Sequence, residues 1–451
     1  MSKTKKILSY SALGLAIAAI IAIILYLNSL LPIITGYAAK NLCSAVFISG
    51  RNALEMEAAD LNFSLIKYTK NKVDQEDKSV TSRFLWGKSK AIYRDGFGVT
   101  LLRDVSDEEL RNEKFPTSEP GYDQDTIPWP LGNILPDSST GIDLTALESV
   151  SKRVIDENGY NGNIYAFLVV HKGIPVLEAY KPQFDSSTRF LSWSMAKSFT
   201  NALVGILVRQ GKLDINKPVL LEEWKNDERS KITLNDLMQM QSGLEWNEDY
   251  GNRSDVTVML HCESDMGRYA FEQPAEYPAG TNWKYSSGTT NIVCDIIQRK
   301  FETDFLYYSF IENELLKRIG MPDAVMEVDP SGSFVGSSYL YATARDYARF
   351  ALLYMNDGVF NGERILPEGW VKYSVTEAPA SGGRYGAFFW LNRNGRVATA
   401  PRDMFRCDGH DGQHIFMFPS HDLVVVILGY SPSGNGGIDL ASLLGEILET
   451  L

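Results

Sequence analysis

The 451-residue chain carries 56 acidic against 44 basic side chains, for a formal charge of −12 and a pI near 5.1. That balance excludes the basic face a nucleic-acid partner would require. Hydrophobic content of 44% and 36 glycines are ordinary for a globular enzyme, and the length allows two or three domain-sized units.

The four cysteines, Cys43, Cys262, Cys294 and Cys407, are widely spaced and form no Cys-x-x-Cys pair. A zinc ribbon and a dense disulfide framework are thereby excluded, while one disulfide of unknown pairing stays open. The five histidines contain no His-Glu-x-x-His, so a zincin is not indicated.

A basic tail (residues 1–6, with Lys3, Lys5 and Lys6) precedes an uncharged apolar run, 7–27. As a helix that run spans roughly 31 Å, the thickness of a hydrocarbon core. It is longer than the apolar region of a cleaved signal and lacks a small-x-small site, so it is read as a transmembrane signal anchor. A cleaved signal peptide is the alternative. The basic side should stay in the cytoplasm, which puts the rest of the chain on the outer side of a bacterial-type inner membrane.

Residues 43–142 read as an N-terminal extension and connector. Ser79–Trp86 and Lys90–Arg94 have strand character, and 106–142 is an acidic stretch with Phe115-Pro116 and Pro128-Trp129-Pro130 that should lie along the main domain. Trp86-Gly87-Lys88-Ser89 hints at a phosphate loop, but Ser82 stands where the earlier glycine belongs, and the match is discarded.

The main domain, 143–451, opens with a helix to about Asn158 and a hairpin, Ile164–Val170 and Val176–Tyr180. A helix follows Ser194, with Met195, Phe199, Ala202, Leu203, Ile206 and Leu207 on one apolar face and Gly211 as its stop. Residues 212–335 are mainly helical, with further helices near 338–357 and 367–375. Strands return at Tyr385–Leu391, His414–Phe418 and Leu423–Leu428, and a helix closes the chain. The pattern predicts an α+β domain: one antiparallel sheet completed by both ends of the domain, flanked by helices, with a helical insertion.

Three stretches carry chemistry. Ser194-Met195-Ala196-Lys197 puts an amine one turn from a hydroxyl, and a serine becomes nucleophilic when a neighbouring base takes its proton. Alone, Ser-x-x-Lys reads more readily as a helix cap beside a solvated lysine. Tyr285-Ser286-Ser287-Gly288-Thr289-Thr290-Asn291 presents two hydroxyls on a loop entering a helix. Cys407–His414 opens a β-strand, where Gly409 and Gly412 would let a substrate approach backbone N–H groups on a strand edge.

In this order, the three stretches resemble the penicillin-recognising serine hydrolases. The similarity is strongest to the class C β-lactamase-like branch containing 6-aminohexanoate-dimer hydrolases and related esterases. It runs from about residue 145 to 445 and also takes in Arg345–Phe350, Asn361–Trp370 and Tyr385-Gly386. The resemblance implies a β-lactamase/transpeptidase-like fold with Ser194 as nucleophile, Lys197 as its base and Tyr285 as the tyrosine that exchanges protons. It places Gly409-His410-Asp411-Gly412 where β-lactamases carry Lys-Thr-Gly, and an oxyanion hole at the backbone N–H groups of Ser194 and Gln413. Ser287, His410, Gly412 and Gln413 are thus the expected substrate-side residues. The Ser194 chemistry that the resemblance implies calls for no metal or organic cofactor.

Two departures matter. His410 replaces the motif lysine and Ser287 the asparagine of Tyr-x-Asn, which points away from efficient β-lactam hydrolysis and toward amide or ester substrates. No Gly-x-Ser-x-Gly elbow supports an α/β-hydrolase. The rivals are a cell-wall D,D-peptidase or D-aminopeptidase on the same fold, and a non-catalytic tethered binding protein. Trp246 and Tyr250 are candidates for the pocket wall, with core packing the alternative.

Overall fold

A computed structural model describes residues 3–116, 123–137, 141–219, 221–432, 434 and 436–451. It begins with one 45-residue helix, α1 (Lys3–Phe47), about 67 Å long at the helical rise. Residues 10–26 stand bare in solvent, apolar and long enough to cross a membrane, whereas from Leu31 onward the helix is largely buried. The expected boundary at residue 43 therefore falls inside a continuous helix.

The buried half of α1 lies on an antiparallel meander: β1 (Lys70–Asp74), β2 (Ser79–Phe84), β3 (Gly87–Arg94) and β4 (Gly98–Leu101). Ile34, Ala38, Leu42 and Ala45 of the helix share a core with Val80, Ala91 and Val99 of the sheet. Lys40 pins this unit to the main domain. Its ammonium meets Glu327 at 2.5 Å and lies 4.1 Å from the centroid of the Tyr339 ring, and Glu327 also accepts from Ser44 and the Val99 N–H. The connector follows the domain surface, where Arg349 donates to Pro130, Gly132 and Asn133.

The main domain is built on a six-stranded antiparallel sheet. Its strands are β5 (Ile164–His171), β6 (Ile174–Tyr180), β7 (Trp390–Leu391), β8 (Phe405–Gly409), β9 (Gln413–Phe418) and β10 (Leu423–Gly429), in the order β7-β8-β9-β10-β5-β6. Both faces are covered, which explains the unbroken apolar run of β10. Leu423, Val425 and Ile427 face the terminal helices α2 (Leu144–Ile155) and α7 (Leu440–Leu448). Val424, Val426 and Leu428 face the larger core, which holds α3 (Ala196–Arg209), α4 (Asp255–Cys262), α5 (Ser287–Gln298) and α6 (Ala344–Met355). This is the β-lactamase/transpeptidase-like arrangement, with the helical portion inserted between β6 and β7.

Three local readings change. Only Trp390–Leu391 of the expected strand 385–391 is extended, because Phe388 has φ 60° and Gly386 packs too closely on the Ser374 carbonyl to carry a side chain. The helix expected from 338 starts at Ala344, after a short strand, Leu340–Ala342. The stretch 407–414 is a hairpin, β8–β9, turning through His410-Asp411-Gly412, with Asp411 and Gly412 at φ 58° and 88°. Strand β9 is interior, so the expected strand edge is instead the rim of a turn.

Candidate active site

Ser194 lies in a single 3₁₀ turn, Trp193–Met195, that feeds directly into α3. The approach is tightly held: the Ser192 N–H donates to the Leu340 carbonyl, Ser192 Oγ accepts the Leu340 N–H, and the Tyr347 hydroxyl donates to the Phe190 carbonyl at 2.7 Å. Trp193 adopts φ 46°, a left-handed conformation that costs a non-glycine residue energy and recurs at functional turns. Hairpin β8–β9 closes on this turn at Gly409, where a Cβ would stand 2.3 Å from the Ser192 carbonyl oxygen. Glycine is required there by close approach.

Lys197, one helical turn along, is 1% exposed. Its ammonium donates to Ser194 Oγ at 2.9 Å, Ser287 Oγ at 3.0 Å and the Ser337 carbonyl at 2.9 Å. Burial lowers its pKa to about 8, against the opposing pull of Glu248. At neutral pH about a tenth of such lysines are uncharged, against fewer than about one in a thousand at the ordinary value. The side chain is thus held against the Ser194 hydroxyl, and its uncharged fraction is able to take a proton.

Tyr285 completes the group. Its ring centroid is 4.8 Å from the Lys197 ammonium, and Ser194 is among the groups that act on its hydroxyl. The ring is wedged between Tyr385 and Trp390, at 5.9 and 5.3 Å. Burial, with Tyr385 next, pushes its phenol well above the usual range, so it stays protonated.

Ser287 is fully buried and faces this cluster, not the open cleft. Its hydroxyl donates to Glu248 Oε1 at 2.5 Å while accepting from Lys197, and its N–H donates to Glu248 Oε2 at 2.9 Å. Trp246 Nε1 donates to the same carboxylate at 2.5 Å. Glu248, which no local spacing in the sequence singles out, thus stands one hydroxyl away from Lys197. The rest of the Tyr285–Asn291 motif has a part in this framework too. Gly288 leaves room for the Trp246 ring, 2.4 Å from where a Cβ would be, and Asn291 Oδ1 accepts the N–H of Ser337, whose carbonyl caps Lys197.

On the other side of Ser194 the residues are aromatic, and His410 among them is part-exposed. His410, about a third exposed, stacks on Tyr250 at 4.7 Å and meets Trp193 edge to face at 5.4 Å. Tyr37 of α1 stacks on Trp193 from outside, at 6.3 Å. Gly412 turns the chain, and Gln413 ties the turn from behind: its side-chain amide donates to the Gly429 carbonyl at 2.6 Å and accepts the Gly429 N–H at 3.1 Å. The Gln413 side chain is thus taken up by strand β10. Trp246 is turned inward, whereas Tyr250 packs on His410 and Trp193. Among the described residues no three His, Cys, Asp or Glu side chains converge as a metal site, and all four cysteines are free.

A fold of this topology with a serine, a buried lysine and a tyrosine in mutual contact defines a serine hydrolase. The chain belongs to the Beta-lactamase family, whose model matches residues 162–441. It is 26% identical over 295 residues to the 6-aminohexanoate-dimer hydrolase of Paenarthrobacter ureafaciens, an alignment covering 59% of this chain and 72% of the relative. Among solved structures, a Bacillus anthracis protein assigned provisionally as a 6-aminohexanoate-dimer hydrolase superposes with TM-score 0.55 at 25% identity, over 66% of this chain and 80% of its own. A penicillin-binding-protein homologue from Caulobacter crescentus shares the fold, with TM-score 0.52 at 15% identity over 71% of this chain and 99% of its own.

Proposed function

We infer that the protein is a membrane-anchored hydrolase that cleaves amide or ester bonds through an acyl-enzyme on Ser194, with a 6-aminohexanoate-dimer-hydrolase-like preference for small amides. The observation that carries this reading is the 2.9 Å contact between Ser194 Oγ and an ammonium whose pKa is depressed to about 8. Neutral Lys197 takes the Ser194 proton as Oγ bonds to the substrate carbonyl carbon. Tyr285, too weak an acid to serve as a phenolate base, relays that proton to the departing nitrogen or oxygen, and the C–N or C–O bond breaks. A water molecule then attacks the ester so formed, giving its proton back through the same pair; the acid leaves and the Ser194 hydroxyl is restored.

The developing oxyanion is assigned to the backbone N–H groups of Ser194 and Gln413, each such donor being worth about 3 kcal/mol in comparable sites. The anchoring half of the reading is supported by the bare apolar segment of α1. The test is labelling by a fluorophosphonate probe with an intact-mass readout, followed by turnover of p-nitrophenyl esters and 6-aminohexanoate dimer. Equal labelling of Ser194→Ala and wild type would overturn the assignment.

A further inference from the structure

The meander of the extension ends in an apolar corner that nothing among the described residues covers. The turn between β2 and β3 is Leu85-Trp86, and these side chains are 61% and 56% exposed. Strand β3 runs alongside α1, in contact step by step. Trp86 Nε1 donates to Asn28 Oδ1 at 2.6 Å, a Cβ on Gly87 would lie 2.7 Å from Leu31, and the Ser89 and Thr35 hydroxyls meet at 2.7 Å. Farther along, Cys43 Sγ donates to the Ala91 carbonyl at 3.6 Å. The hairpin therefore points the same way as the bare end of the helix. Its tip stands level with Asn28, the first polar residue after the apolar run.

Just inside the tip the sheet register sets Arg83 opposite Lys88, and Lys70 opposite Arg83. Directly opposed residues share a face, so three exposed cations form a row across the outer side of the sheet. Like charges directly opposed destabilise a sheet, and none of the three is offset by an ion pair among the described residues. A tryptophan at headgroup level, a leucine beside it, cations a residue or two behind and an apolar helix alongside are together what a bilayer interface accommodates.

We propose that the β2–β3 tip enters the headgroup region of an anionic bilayer as a second membrane contact, with Lys70, Arg83 and Lys88 facing the lipid phosphates. The proposal rests on α1 being a membrane anchor. Since the chain as a whole is acidic, an anionic surface repels most of the body and favours the one orientation that presents this row. The hairpin thereby fixes the tilt of the catalytic domain above the membrane.

The full chain, reconstituted into phosphatidylcholine vesicles with about a third phosphatidylglycerol, tests this. An environment-sensitive fluorophore is placed by Leu85→Cys in a Cys262→Ser background, the other cysteines being buried, and by Asn216→Cys as an exposed control. Emission at 85 should be blue-shifted and quenched by shallow lipid-borne quenchers, while that at 216 stays aqueous. Each of Lys70→Gln, Arg83→Gln and Lys88→Gln should reduce the docked-to-undocked ratio about fivefold. Vesicle-bound protein with an aqueous probe at 85 would overturn the proposal and leave the anchor intact. Release of the wild-type chain by alkaline washing would remove the anchor reading, and this inference with it. A probe at 85 buried equally without vesicles would show a protein contact instead, and overturn the lipid assignment.

Discussion

The two sides of Ser194 are built on opposite terms. Toward the core, Lys197, Ser287 and Glu248 form a buried polar cluster in which all three Lys197 donors are matched by acceptors. Toward the hairpin turn, the part-exposed His410 packs on Tyr250 and on the buried Trp193, and α1 adds Tyr37. On the proposed mechanism the inner side fixes where a proton can go, and the outer side meets the substrate. Reaction chemistry can therefore be read from this molecule more closely than substrate identity.

That contrast can be broken most severely from the inside. Lys197→Met should cost about ten-thousandfold or more in kcat, since residues acting as one unit fail together. In the wild type, log kcat/KM should rise with pH and level off above about 8, because the neutral amine is the working form and burial sets that value. A profile already flat at pH 6 would assign the base elsewhere.

Substitution at the seam comes next. Gly409→Val drives the hairpin off the Ser192 carbonyl, and a shift of about 1 Å in donor placement should cost about a hundredfold in kcat. Circular dichroism and thermal unfolding would check that the domain stays folded.

Glu248→Gln sharpens the inner side more gently. Glu248 raises the Lys197 pKa against burial, so removing its charge should move the rising limb to lower pH. The plateau should fall by about tenfold, as one orienting hydrogen bond is weakened. An unmoved limb would show that the carboxylate is electrostatically silent at Lys197. The smallest effect belongs to the rim: His410→Ala should raise KM by about threefold to tenfold at nearly constant kcat, the scale of one lost aromatic contact. A collapse of kcat instead would place His410 among the proton-handling groups.

The sheet, the Ser194 helix and the Ser-x-x-Lys geometry were legible because each rests on local periodicity or on residues one turn apart. The Asp411-Gly412 turn was also written in the sequence as a hairpin signal, although the stretch 407–414 reads only as the opening of the strand His414–Phe418. Glu248 was not legible, because it reaches Lys197 only through Ser287, from a distant loop. The inward turn of Ser287 was hidden for the same reason: a loop serine before a helix looks like a cap, and only the fold shows which way it faces. The second half of α1 was masked by the apolarity of the first. Lys40, a lone cation in an otherwise uncharged stretch, was the available sign that this helix enters a protein interior, since such a charge needs a buried partner.

The continuity of α1 bears on what maturation of this protein could involve. A cut near Leu27 would leave the Lys40–Glu327 pair and the Tyr37 stack in place, whereas a cut past Lys40 would strip a helix from the meander and strand Glu327 as an unpaired buried carboxylate. The second half of α1 is thus part of the folded body, so proteolysis ahead of Leu31 spares the fold whereas proteolysis past Lys40 opens a buried charge.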